Sequence, residues 1–200
     1  METKTDRSEL TLSAIVDTAC RMASAEGLES LTIGEVAKQL GLSKSGVFSR
    51  VGSREALQKA VIDTTAASFM QEVFVPAMRE PRGKPRLDAI VRLWVKRAMN
   101  DYTGRGCLFS AGAFELDDRE GPLRDLLLDH MMRWRAALRR TVVQAVDEGH
   151  LRSGIDVDQL VFELDGLFVA LLREARFLRD PRAAERSWAA YERLMRDHAA

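Results

Sequence analysis

The chain has no net charge, with 30 Lys plus Arg against 30 Asp plus Glu. Bulk electrostatics therefore offer no pull toward nucleic acid or a charged membrane, and any such affinity must come from local clustering. Cysteine is scarce. Cys20 and Cys107 lie far apart, with neither metal-ligand spacing nor a disulfide framework, which fits a reducing cytoplasm. Cys107 could answer to oxidants, although an inert buried thiol is the ordinary expectation. His130, His150 and His198 show no metal spacing, so neither a metal nor another cofactor is expected. Long apolar runs are missing too. The most apolar one, "GLFVALL" at 166–172, is bounded by Asp165 and Arg173, far short of a membrane span. The start, "METKTDRSEL", is polar and does not read as a signal peptide. No Ser/His/Asp arrangement or phosphate loop occurs, so an enzyme is not expected. "ELDD" at 115–118 could serve a helical-bundle enzyme as a metal-binding carboxylate pair, but an acidic loop ahead of a Pro-led helix is the ordinary explanation.

What is present is helical periodicity. Apolar residues make up 46% and charged residues 30% of 200 residues, the profile of a globular chain able to bury a substantial core. A first helix over about 8–25 presents Leu12, Ile15, Val16, Ala19 and Met22, and Gly27 closes it. Thr32, with Glu35 three residues on, forms a capping box for a helix carrying Ile33, Val36, Ala37 and Leu40, which stops at Gly41. Ser43 is the next N-cap and opens a short helix through "KSGVFSRV". Gly52 breaks it. Ser53 then caps a helix running to about Phe74, with Ala56, Leu57, Ala60, Val61, Thr64 and Ala67 on one side and Pro76 at its end. Three of five prolines fall in 76–86, which reads as a loop. Helices follow near 86–101, 106–117, 122–149, 156–179 and 181–198, so the fold is all-α.

Within 32–51 the spacing is that of a helix-turn-helix, two short helices joined by a tight Gly-containing turn. Val36, Ala37, Leu40, Leu42, Val47 and Val51 sit where the helices must touch. Lys44, Ser45, Ser49 and Arg50 remain outside, with Gly46 between them. Lys and Arg reach guanine edges or phosphates, and Ser bonds either. Gly46 lets backbone approach closely, at a cost of about 0.5–1 kcal/mol in helix stability. The helix starts at Thr32, Ser43 and Ser53 favour anions. Residues 36–54 hold Lys38, Lys44, Arg50 and Arg54 and no acid. Such a cluster is either a DNA-binding face or a merely solvated one.

The stretch "LTIGEVAKQLGLSKSGVFSRVGSREALQKAVID" at 31–63 resembles the DNA-binding signature of the TetR family of transcriptional repressors. The features carrying the resemblance are Thr32, the Gly41-Leu42-Ser43 turn, Ser45-Gly46-Val47-Phe48, and Ser53-Arg54-Glu55-Ala56-Leu57. "GCLFSAGAFELDDREGPLRDLL" is similar, more weakly, to a ligand-domain segment of one branch. The resemblance implies a helix-turn-helix domain over 1–55, linked by helix 53–75 to a helical ligand-binding and dimerisation domain over 76–200. Lys44, Ser45, Gly46 and Ser49 are then expected near bases, and Thr32, Arg50, Ser53 and Arg54 on phosphates, with Ser43 at the anion-friendly helix start. The family usually has Tyr at Phe48, whose hydroxyl touches phosphate. Phe48 is expected to keep the packing and lose that bond, shifting weight onto Arg50. Gly52 replaces the usual Pro.

One helix-turn-helix reads few base pairs, so a two-fold dimer is expected. Helices 122–149 and 156–179 carry apolar residues beyond one stripe (Leu126, Leu128, Met132, Val146; Leu167, Val169, Leu178), which suits a four-helix dimer interface as well as an interior. The resemblance further implies an inducer cavity, for which Trp94, Met99, Phe109, Met131, Trp134 and Phe168 are candidates, each of which also reads as ordinary core. The expected protein is a ligand-responsive repressor binding a palindromic operator in double-stranded DNA as a homodimer, released by a small-molecule inducer. The alternative is an all-α interaction dimer that keeps the motif without binding DNA.

Overall fold

A computed structural model describes residues 4–99 and 106–200, and side chains from residue 11 onward. Among these residues the fold is all-α, with a single isolated β-bridge, Leu151 to Ala199. The order is α1 (Lys4–Glu26), α2 (Ile33–Leu40), α3 (Lys44–Val51), α4 (Arg54–Phe69), α5 (Val75–Ala77), α6 (Lys84–Met99), α7 (Leu108–Glu115), α8 (Pro122–Asp147), α9 (Val157–Leu172) and α10 (Ala183–Asp197). Wider π-helical turns, Met70–Phe74 and Arg173–Phe177, continue α4 and α9. Pro76 does not end the α4 segment as expected. It sits in the first turn of α5, where its missing N–H costs nothing, and the connecting loop shrinks to the residues between Ala77 and Lys84. The expected end of helix 86–101, past Met99, lies outside the described residues.

The chain divides into two compact units. One comprises the described residues up to Ala67 together with 106–129; the other comprises 68–99 with His130–Ala200. In the first, α1 packs on α2, α3 and α7, and α2 packs on α3. Ile15, Ala19, Leu28, Leu31, Val36, Val47, Leu57, Val61 and Ile62 are buried. Two faces are rotated from expectation. Leu12 is 40% exposed, and α4 turns Leu57, Gln58, Val61 and Ile62 inward rather than Ala56 and Thr64. Larger side chains and a satisfied amide displaced the small ones, since burial rewards apolar area. Gly112 on α7 lets that helix close on its neighbours, for a Cβ there would stand 3.1 Å from Leu127 and 3.5 Å from Leu28.

The second unit is built on Val73, Leu87, Ile90, Leu138, Val142, Leu151, Leu160, Leu164, Phe168, Tyr191 and Met195. Helices α6, α9 and α10 pack pairwise. Tyr191 ties α10 to α6 by donating its hydroxyl to Asp88 Oδ1 at 2.6 Å, and Lys84 Nζ neutralises the same carboxylate at 2.8 Å. Burial, reinforced by Asp88, lifts the Tyr191 phenol far above its ordinary pKa, so it stays a neutral donor. Near the α4 end, burial works to raise the Glu72 carboxyl, but hydrogen bonds from Ser68 and Arg97 outweigh it and hold it below its ordinary value.

Tyr191→Phe removes one hydrogen bond to a charged group and leaves the ring volume intact. It should lower the unfolding free energy by about 1.5–3 kcal/mol, read as a shift of the urea midpoint at unchanged slope.

Candidate nucleic-acid interface

The α2–α3 pair is assembled by its caps. Thr32 is extended (φ −128°) and its hydroxyl accepts from Glu35 N–H at 3.2 Å. The return half of a capping box is not made, because the Glu35 carboxylate turns to Lys38 at 3.9 Å. Gly41, at φ 64°, takes the left-handed conformation that stops α2, donating to Ala37 and Lys38 carbonyls. Ser43 then caps α3 by accepting from Gly46 N–H at 3.0 Å. Val47, fully buried, anchors α3 against α1 and α2.

That anchor leaves Lys44, Ser45, Phe48, Ser49 and Arg50 exposed on α3. Ser49 Oγ and Arg50 Nη1 both donate to the Gly46 carbonyl, at 3.0 and 2.8 Å. Gly46 also sits close to the cap: a Cβ there would stand 2.9 Å from Ser43 Oγ, the atom that caps the helix. Phe48 does not keep the packing expected of it. It is 54% exposed, because Val47 already fills the inward position and the next residue on a helix points about 100° away.

Charge in the window 36–54 is redistributed by residues outside it. Lys38 meets Glu35, and Arg54 meets Glu29 at 3.7 Å while its Nε donates to Leu31 O at 2.8 Å. Lys44 and Arg50 have no acidic partner among the described residues, and carry the positive potential of the outer face. Ser53 caps α4, accepting from Ala56 N–H at 3.0 Å. The hydroxyls of Thr32, Ser43 and Ser53 accept from the backbone, so each keeps its own O–H as a donor.

In the second unit an aromatic cluster gathers three of the six expected ligand residues. Trp94 stacks on Phe168, with ring centroids 3.4 Å apart, and meets Trp134 edge-on at 5.1 Å. Phe69 joins both tryptophans at 5.3 and 4.8 Å, and Phe74 approaches Trp134 at 6.4 Å. The Trp134 indole N–H is buried with no hydrogen-bond partner among the described residues. Met99 and Met131 belong to the same unit, half-buried, whereas Phe109 belongs to the unit containing α2 and α3.

A family model described as bacterial regulatory proteins, tetR family, matches residues 15–61. A second, tetracyclin repressor-like, C-terminal domain, matches residues 83–191, more than half of the chain. The chain belongs to the TetR family.

Solved structures agree in fold. A TetR-family transcriptional regulator from Streptomyces coelicolor superposes with a TM-score of 0.81 at 20% identity, over 94% of this chain and 89% of that one. A putative transcriptional regulator from Saccharomonospora viridis in complex with choline gives 0.78 at 16%, over 96% and 99%. AibR, in complex with isovaleryl coenzyme A and operator DNA, gives 0.72 at 19%, over 92% and 95%. Comparison with curated proteins finds no significant match.

Two features of this TetR-family protein escaped sequence reasoning. Phe69 and Phe74 belong to the aromatic cluster, and the signal was available in "SFMQEVF", where π-helical winding keeps rings five residues apart on one side. Phe162 on α9 and Phe177 just beyond it are 63% and 81% exposed. Both lie off the stripe that faces inward.

Ser43→Ala should cost about 1 kcal/mol of stability through loss of the cap. Gly46→Ala also disturbs the cap but gains about 1 kcal/mol of helix propensity, so its net effect should be near zero. The double variant should be more stable than Ser43→Ala alone, because the clash is gone. A urea-denaturation cycle over the four proteins checks this.

Proposed function

We propose that the protein is a ligand-responsive transcriptional repressor that binds a two-fold operator as a homodimer and is released by a small-molecule inducer. The observation that carries this reading is the outer face of α3: Lys44, Ser45, Phe48, Ser49 and Arg50, all exposed and free of acid, on a helix held from behind by Val47. Such a face suits a major groove. Lys44, Ser45 and Ser49 serve base edges, with Gly46 admitting close approach, and Arg50 serves phosphate after exchanging the Gly46 carbonyl for it. Thr32, Ser43 and Ser53 add hydroxyls and helix N-termini for further phosphates. Arg54, engaged by the α1–α2 loop, supports that surface more than it contacts DNA. On this reading residues 1–55 read DNA, helix 53–75 links, and 76–200 bind ligand and the second subunit, although the compact units divide differently, with 106–129 grouped with α1–α4.

The homodimer is supported by α8 and α9. Phe162, Val169 and Phe177 stand exposed at helical spacing along α9 and its extension, beside Gly166, and Met132 is exposed on α8. Arg135 pairs with Asp165 at 3.0 Å and Arg139 with Asp158 at 2.8 Å, bracing the two helices against each other. A self-complementary apolar face of this kind is what a two-fold helix bundle needs.

The inducer site is assigned to the aromatic cluster of Trp94, Trp134 and Phe168, with Met99 and Met131 nearby in sequence; Phe109 lies in the other unit and is left out of it. Choline and isovaleryl coenzyme A occupy the structural relatives named above; the ligand here is a small molecule with an acceptor for the Trp134 N–H. Release is population shift: the ligand favours a dimer whose recognition helices are wrongly spaced.

Gel-shift titration against the promoter beside the protein's own gene tests DNA binding. Wild type should bind with an affinity that falls steeply as salt rises, and Lys44→Ala/Arg50→Ala should weaken binding and flatten the log–log salt slope by about one, through the lost Arg50–phosphate contact. A variant that binds as tightly as wild type would falsify the contact assignment, and weak binding insensitive to salt would favour the interaction-module alternative. For the dimer, Phe162→Asp should halve the mass seen in sedimentation while leaving the helical circular-dichroism signal unchanged.

A further inference from the structure

We infer that Glu115, at the C-terminal end of α7, is a positioning residue for DNA binding, holding the loop on which α2 and α3 are seated. The inference rests on the DNA-binding reading above and concerns how that surface is kept in place. Glu115 Oε2 accepts the Leu28 N–H at 2.9 Å and Oε1 accepts the Glu29 N–H at 2.7 Å. Gly27 completes the cradle with φ 93°, and a Cβ there would stand 2.9 Å from Oε1. Consecutive amides turned toward one carboxylate form an anion nest, and both bonds are charge-assisted.

The other side of the same loop belongs to α4. Gln58 Nε2 donates to Leu28 O at 2.7 Å, Arg54 Nε donates to Leu31 O at 2.8 Å, and Arg54 Nη2 donates to Glu29 O. The Glu29 side chain lies between Arg119, at 3.0 Å, and Arg54, at 3.7 Å. Leu28 and Leu31 are fully buried on either side of these bonds. Thr32, the N-cap of α2, follows directly. The loop therefore has its amides on α7 and its carbonyls on α4, and a displacement of α7 must either break two charge-assisted bonds or carry the start of α2 with it. The first residue of "ELDD" thus binds backbone; Asp117 and Asp118 lie exposed beyond it.

The test compares full-length wild type, Glu115→Ala and Glu115→Gln. By hydrogen exchange, Glu115→Ala should speed the Leu28 and Glu29 amides about tenfold or more, with the acceleration spreading into α2 and α3 and leaving α9 and α10 unchanged. On a duplex of the promoter beside its own gene, Glu115→Ala should bind about 5- to 30-fold more weakly at every salt concentration, because the competent arrangement is less populated. Its salt slope should equal that of wild type, unlike Arg50→Ala, which should lower the slope by about one. Glu115→Gln keeps one acceptor oxygen and should restore part of both effects. Acceleration confined to residues 28 and 29, wild-type affinity in Glu115→Ala, or no rescue by Gln overturns the inference. If wild type itself does not bind the duplex, the regulator reading fails at that promoter, and the exchange comparison alone decides whether Glu115 seats α2 and α3.

Discussion

Peptide groups between α1 and α2 have too few partners in their own segment, and a buried amide or carbonyl left unpaired costs about 1–3 kcal/mol. Their partners come from two helices distant in sequence: the Glu115 carboxylate takes the amides, and Gln58 and Arg54 take the carbonyls. Much of the DNA-binding unit follows from that arrangement. It fixes where α2 begins, and the glycine ahead of it is shaped by the carboxylate it faces. It also withdraws Arg54 from the basic cluster in which it stands in sequence. A surface that must meet a rigid, charged partner is better preorganised than flexible, since ordering it at the moment of binding subtracts from affinity.

Neutral overall charge is compatible with a DNA-binding protein once the charge is located. Lys44 and Arg50 lie on one short helix with no acidic partner among the described residues, while Lys38 and Arg54 are partly neutralised by Glu35 and Glu29. Elsewhere acids and bases brace helices: Arg135 with Asp165, Arg139 with Asp158, Lys84 with Asp88. Asp165 shows the cost of such placement, since burial raises its carboxyl above the ordinary range and Arg135 only partly offsets this. Those pairs in this TetR-family chain thus use charge to join helices, and the outer face of α3 keeps a small surplus.

Legibility from sequence varied with the range of the interaction. Caps were readable because they act within three or four residues: Thr32, Ser43 and Ser53 all accept the backbone N–H groups expected of them. The inward stripe of α9 was readable because apolar residues at helical period specify a buried side. Leu12 and Phe48 were misjudged because amphipathic pattern does not say how much of a face a neighbour covers. The exposed Phe162 and Phe177 went unread for the same reason. Glu115 was unreadable in its role: a carboxylate that binds backbone leaves no pattern in the partner's sequence, since every non-proline residue offers the same amide.

By itself the sequence determined the all-α class, the order of the main helices, the helix-turn-helix and the family, because these depend on local propensity, capping and period. Tertiary structure alone decided which cations of the basic stretch remain available, that Phe48 faces outward, that Trp94, Trp134, Phe168, Phe69 and Phe74 meet, and that α7 holds the loop before α2. Those outcomes depend on which distant groups share a surface, and distance in sequence carries no record of that.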